Sequence, residues 1–259
     1  MQLRRPESTQ SDFQKDTILG HVRIPQLRKH LYIYFIFSWY RILPTGKADQ
    51  VNQVDVDYHK NLISALKSNG IEPFVTLYHW DLPKPLEDIG GWLNETLVDC
   101  FADYARLSFT LFGEYVKNWM TFNEADQFYH VGYGYGAFPP GIRQDGIDDY
   151  LCGHTVLKFH AKAYHIYGRV SMVVDTEWYE FVSDSDQDKE AADRKLQFTA
   201  YIFFSLVGSL TQSIYHPNGN YPQVMIDHIA DKRQKEGFSK SRLPEFTPEE
   251  VDYIKGTKF

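Results

Sequence analysis

A chain of 259 residues with 43% apolar and 16% aromatic content can bury a large core in one domain or two, which excludes a disordered polypeptide. A formal net charge of −7 without a long basic run excludes a nucleic-acid footprint. The apolar runs Leu31–Phe37 and Tyr201–Leu206 fall far short of the roughly 20 residues that span a bilayer, so no membrane partner is expected.

Residues 1–30 are polar and patternless and are read as irregular; Met1–Pro6 lacks the apolar core of a secretory signal, and the compartment stays open. Residues 31–259 form the folded domain. Leu31–Trp39 is a continuous apolar run, which predicts a strand covered on both faces. Asp55–Ser68 has helical spacing and ends at Asn69-Gly70, a C-terminal cap signal. Ile71–His79 is the next predicted strand. Asn94 is read as the N-cap of the helix Leu97–Phe112, with Glu95 in its first turn, in preference to a glycosylation sequon at Asn94-Glu95-Thr96. A third strand over Tyr115–Phe122, a helix over Asp148–Tyr167 and a fourth strand over Arg169–Thr176 follow. Helices over Val224–Glu236 and Glu249–Lys255 close the chain, the second opened by a capping box with Pro at its first position, Thr247-Pro248-Glu249-Glu250.

Strands alternating with helices imply a parallel α/β sheet. Four strands are half of the eight that a (β/α)8 barrel needs, so periodicity alone gives half a barrel or an open sheet. The long strand-to-helix loops Asp81–Trp92 and Ala125–Ile147 lie where such folds carry function. The many aromatic residues suit a packed core or, as a sharper alternative, a cleft lined for the C–H faces of sugar rings. Cys100 and Cys152 sit in apolar helical patterns and read as buried free thiols, although one disulfide remains open; no metal-ligand spacing surrounds them. His154, His160 and His165 share a helix without a His-Glu-x-x-His pattern, and Gly132, Gly134 and Gly136 alternate with tyrosines instead of opening a phosphate-binding helix. Neither a metal nor a nucleotide cofactor is expected.

Trp119-Met120-Thr121-Phe122-Asn123-Glu124 places an amide and then a carboxyl where an apolar strand meets the surface, a setting that holds a proton donor. The same six residues resemble the acid/base motif of glycoside hydrolase family 1. So do Phe37–Gly46, Gly70–Pro83, Gly90–Asn94, Leu243–Glu250 and Ile254–Thr257, in order, with wording most similar to animal and particularly insect members of this β-glucosidase, lactase-phlorizin and myrosinase group. The resemblance implies a partial (β/α)8 TIM barrel, roughly strands two to five with their helices, the C-terminal strands being absent. It implies a retaining β-glycosidase that acts on a small β-glycoside and needs no cofactor. Glu124 would be the acid/base, Asn123 would contact the sugar 2-hydroxyl, His79 a glycone hydroxyl, and Trp80 would shape the pocket. Asp81 would tie down its loop.

Departures accompany the resemblance. The family nucleophile lies in an Ile/Val-Thr-Glu-Asn-Gly stretch that these 259 residues do not contain, and Glu177 and Glu180 match a non-catalytic region instead. Tyr34 stands where the family has an arginine, and Ala125 and Phe181 where it has prolines. The stretch 198–216 also departs from the family. The expectation is therefore a chain inactive by itself. The rivals are a catalytically dead sugar- or partner-binding protein and a chain that does not fold alone.

Overall fold

A computed structural model describes residues 31–175, 182–189, 213–214 and 218–257. The expected irregular N-terminus, Glu177, Glu180, Phe181 and most of the 198–216 stretch lie outside them. Within them, β1 (Leu31–Ile36), β2 (Ile71–Tyr78), β3 (Asn118–Asn123) and β4 (Val170–Val173) form one sheet in the order β1-β2-β3-β4. Every neighbouring pair is parallel.

The helices that join the strands are α2 (Gln53–Ser68), α4 (Leu97–Phe112) and α6 (Asp148–Tyr167), as the spacing predicts; short turns α1 (Trp39–Ile42), α3 (Lys84–Glu87) and α5 (Ala125–Tyr129) follow strands. The tail forms α7 (Gln223–Glu236) and α8 (Pro248–Lys255). The capping box of α8 is present: the Glu250 amide donates to Thr247 Oγ1 at 3.2 Å and the Thr247 amide to Glu250 at 2.9 Å. Lys158 of α6 pairs with Glu250 and fastens α8 to the helical layer.

Four local expectations are corrected. β1 ends at Ile36, because the chain turns into α1 directly after Phe37. It is also not covered on both faces: Tyr32, Tyr34 and Ile36 are 55%, 67% and 43% exposed, since β1 ends the strand order and the helices cover the opposite, Phe35 face. β3 starts at Asn118, not Tyr115, because the amides of Tyr115 and Val116 turn back to the Phe112 carbonyl and close α4. Asn94 sits two residues before the cap position of α4, which Thr96 occupies. Its Oδ1 accepts from the Thr96 amide at 3.0 Å, an Asx turn that leads into a helix beginning at Leu97.

The aromatic surplus goes chiefly into the core between sheet and helices. Trp92 is 2% exposed and meets Phe159 at 4.8 Å and Phe122 at 5.3 Å, while Phe101 stacks on Phe122 at 4.9 Å and Trp39 on Tyr104 at 5.0 Å. Burying each such side chain contributes about 1.5–3 kcal/mol from area alone, so this cluster holds the helical layer to the sheet. Cys152 is buried and Cys100 half-buried, both as free thiols. No described helix is long and apolar enough to cross a membrane.

Candidate active site

The site is built from the C-terminal ends of β2 and β3, where a parallel α/β sheet presents its loops. An irregularity in the β3–β4 register between Met120 and Asn123 prepares it. Thr121 Oγ1 meets His160 Nδ1 of α6 at 2.9 Å and Phe122 packs on Phe101 of α4, so two successive residues serve the helical side. The alternation then resumes with Asn123 and Glu124 at the strand end, both half-buried.

Two backbone positions there are strained. Trp80 has φ 67° and Glu124 φ 44°, and they are the described non-glycine residues with positive φ. A left-handed conformation costs an L-residue roughly 1–2 kcal/mol, and such strain collects at functional sites. The strained positions are tied together: the Trp80 indole N–H donates to the Asn123 carbonyl at 2.9 Å, and the Glu124 amide donates to the Val173 carbonyl at 2.9 Å. Replacing Glu124 with Asn, which tolerates this conformation far better, is expected to stabilise the fold by about 1 kcal/mol in denaturant titration. A destabilised Glu124→Asn variant would show that the carboxylate, not the backbone, decides stability here.

His79 lies beside Asn123, with Asn123 Nδ2 within 3.5 Å of His79 Nε2. Asp81 acts on the loop: its carboxylate accepts from Ser38 Oγ at 2.7 Å and from the His79 amide at 3.4 Å. Burial pushes the Asp81 carboxyl up to about 6, against those hydrogen bonds, which lower it. His79, Trp80, Asn123 and Glu124 thus occupy neighbouring strand ends. Glu177 and Glu180 are outside the described residues.

Asp126 was not legible as special in the sequence. It is 3% exposed, two residues after Glu124, and no side chain among the described residues hydrogen-bonds its carboxylate; the backbone amides of Asp126 and Gln127 are the groups that favour its charged form. Burial first, then the nearby Asp175 and Glu124 charges, push its carboxyl up to about 7. Spacing gives no signal for it, because its neighbours approach only through the fold.

The three helix-borne histidines diverge. His154 pairs with the Tyr221 hydroxyl, His160 with Thr121 and His165 with the Tyr253 carbonyl. His130, Asp145 and Asp149 bring potential ligand atoms within 4.8 Å of one another. His130 Nδ1 lies 3.2 Å from Asp149 Oδ2, which joins the turn after α5 to the start of α6. The glycine-tyrosine alternation has a packing reason: a Cβ at Gly132 would sit 2.6 Å from the Pro139 carbonyl oxygen.

Four parallel strands backed by helices, with an amide, a carboxyl, an imidazole and an indole at the C-terminal ends of β2 and β3, define part of an incomplete (β/α)8 barrel and its loop-bearing face. Residues 23–258 match the glycosyl hydrolase family 1, and the chain belongs to that family. It is 41% identical to human cytosolic beta-glucosidase, with 86% of this chain aligned to 48% of that protein. It is 42% identical to human lactase/phlorizin hydrolase, over 86% of this chain and 12% of that protein. The structure of aphid myrosinase superposes with a TM-score of 0.78 at 37% identity, covering 86% of this chain and 48% of that one. The chain therefore spans about half the length of the cytosolic beta-glucosidase it matches.

Proposed function

We propose that these residues form the acid/base half of a retaining β-glycosidase site. Glu124 protonates the leaving oxygen of a β-glucoside-like substrate. A second carboxylate attacks the anomeric carbon, and Glu124 then takes the proton of the water that releases the sugar. Asn123 holds the 2-hydroxyl, His79 a further glycone hydroxyl, and Trp80 forms the pocket wall. No cofactor enters this chemistry. The observation that supports the reading is the link between strand ends: the Trp80 indole donates to the Asn123 carbonyl and the Asn123 amide lies against the His79 imidazole, one residue before Glu124.

The second carboxylate of a retaining pair stands about 5–5.5 Å from the first. No Thr-Glu-Asn-Gly stretch in the 259 residues supplies it, and exposed Tyr34 replaces the arginine that the family resemblance leads one to expect. The Tyr34 departure favours a second reading, in which the site binds a glycone without turning it over. Calorimetric titration of the chain with gluconolactone tests the shared part of both readings. Saturable binding is expected, weakened about tenfold or more in His79→Ala and in Asn123→Ala, as loss of a buried polar contact to the sugar requires. A folded chain that binds no gluconolactone would remove both.

A further inference from the structure

We propose that the cleft between α7 and residues 240–246 binds a small aromatic acid, its ring against Tyr221 and Phe246 and its anionic group between Arg233 and Lys240. The cleft has a volume of about 780 Å³, within the range of small-molecule sites. None of His79, Asn123 or Glu124 lines it, so it is a separate site from the one at the strand ends.

One wall is aromatic and uncharged. Tyr221 and Phe246 stack with ring centroids 4.8 Å apart, and Phe246 stacks on His154 at 4.1 Å. The Tyr221 hydroxyl is occupied by His154 Nδ1 at 2.7 Å. Burial holds the His154 imidazole down to about 4, so it is neutral at physiological pH. Leu243 is buried behind this wall. Tyr221 is 5% exposed, so half-buried Phe246 carries the accessible part of this wall, against which a flat apolar ring can pack.

The rim is cationic. Several nearby cations are engaged: Arg242 with Glu236 and the Gly146 carbonyl, Lys158 with Glu95 and Glu250, Lys255 with Asp252; Lys232 and Lys235 of α7 have no ion pair among the described residues but do not line the cleft. Arg233 and Lys240 line the cleft and have no ion-pair partner among the described residues. Glu245 is the carboxylate at this rim, and it is exposed to solvent. On a chain of net charge −7, two unpaired cations facing one cleft select an anion, and a guanidinium beside an aromatic wall suits a planar carboxylate or phosphate ester.

The probe is 1-naphthoate, titrated calorimetrically into the 259-residue chain, with neutral 1-naphthalenemethanol as the control. One saturable site is expected at low ionic strength, weakening as salt is raised. Arg233→Gln and Lys240→Gln are each expected to weaken it about tenfold, the range of a charge-assisted contact. Both side chains reach solvent, so these variants keep the fold, which circular dichroism checks. Glu124→Gln is expected to leave naphthoate binding unchanged, which separates this site from the glycone site. No saturable binding by a cooperatively folded chain, equal binding of the neutral alcohol, or parental affinity in the double variant would each overturn the proposal.

Discussion

Asp126→Asn is expected to stabilise the protein by about 2–4 kcal/mol at pH 8 and by little or nothing at pH 4.5. The reason is a carboxyl buried without a side-chain partner among the described residues. Asp126 is 3% exposed, and the backbone amides of Asp126 and Gln127 only partly offset its burial. Desolvation then disfavours the charged form, and the neighbouring Asp175 and Glu124 add repulsion; the result is a carboxyl that ionises at about 7. In the unfolded chain the same group ionises near 3.9. Between those values the folded state binds more protons than the unfolded state. Stability therefore falls as pH rises from about 4 through 7 and stays reduced above it. At about 1.4 kcal/mol per pH unit the full penalty over roughly three units is near 4 kcal/mol, and local relaxation lowers it. Asn keeps the shape and removes the titration. At low pH it replaces a protonated acid by an amide with similar unmet hydrogen bonds, so no gain is expected there. Urea titrations of both proteins from pH 4.5 to 8 check this. A difference between them that stays constant with pH would show that Asp126 is not a buried titrating group.

The fold was legible where local chemistry and tertiary structure agree. α4 and α6 fall on their predicted spans because apolar spacing and a terminal glycine mark them, and the Thr247 box fixes α8 independently of the rest. The four strands were visible as apolar runs, but their ends were not. Tyr115 reads as strand by β-propensity, yet its amide closes α4; Phe37 reads as strand, yet the turn at Ser38 claims the chain. A one-sided β1 was hidden in the sequence, since Tyr32, Tyr34 and Ile36 are all apolar enough for a covered strand. For the candidate site, the surrounding motifs singled out Glu124, Asn123, His79 and Trp80, and the fold brings these positions to neighbouring strand ends. Their strained backbones were not, because positive φ at Trp80 and Glu124 goes against residue preference. Asp126 stayed hidden for a further reason: its burial depends on α5 packing after the strand, and a short polar turn conceals this. The meeting of Arg233 and Lys240 at one cleft was equally out of reach, since it depends on how α7 packs against residues 240–246.

The largest expected effect concerns the leaving group. The 259-residue chain alone is expected to show no measurable hydrolysis of any β-glucoside, because protonating the leaving oxygen does not replace the carboxylate that must attack the anomeric carbon. In a longer polypeptide that joins this chain to a second carboxylate, Glu124→Gln is expected to cut kcat/KM by about 10²–10⁴ for an alkyl or other poorly departing aglycone. For 2,4-dinitrophenyl β-glucoside the loss in the first step should be far smaller. That phenolate departs without a proton, so the acid has little to contribute to bond cleavage. The second step still needs Glu124 as base, so the glycosyl-enzyme should accumulate and give a burst of dinitrophenolate in Glu124→Gln. This combination distinguishes a proton donor from a residue that merely shapes the pocket. A structural role would lower both substrates alike and produce no burst. An equal loss for alkyl and dinitrophenyl glucosides would therefore remove Glu124 from the chemistry and leave His79, Asn123 and Trp80 as a sugar-binding surface at the mouth of the barrel.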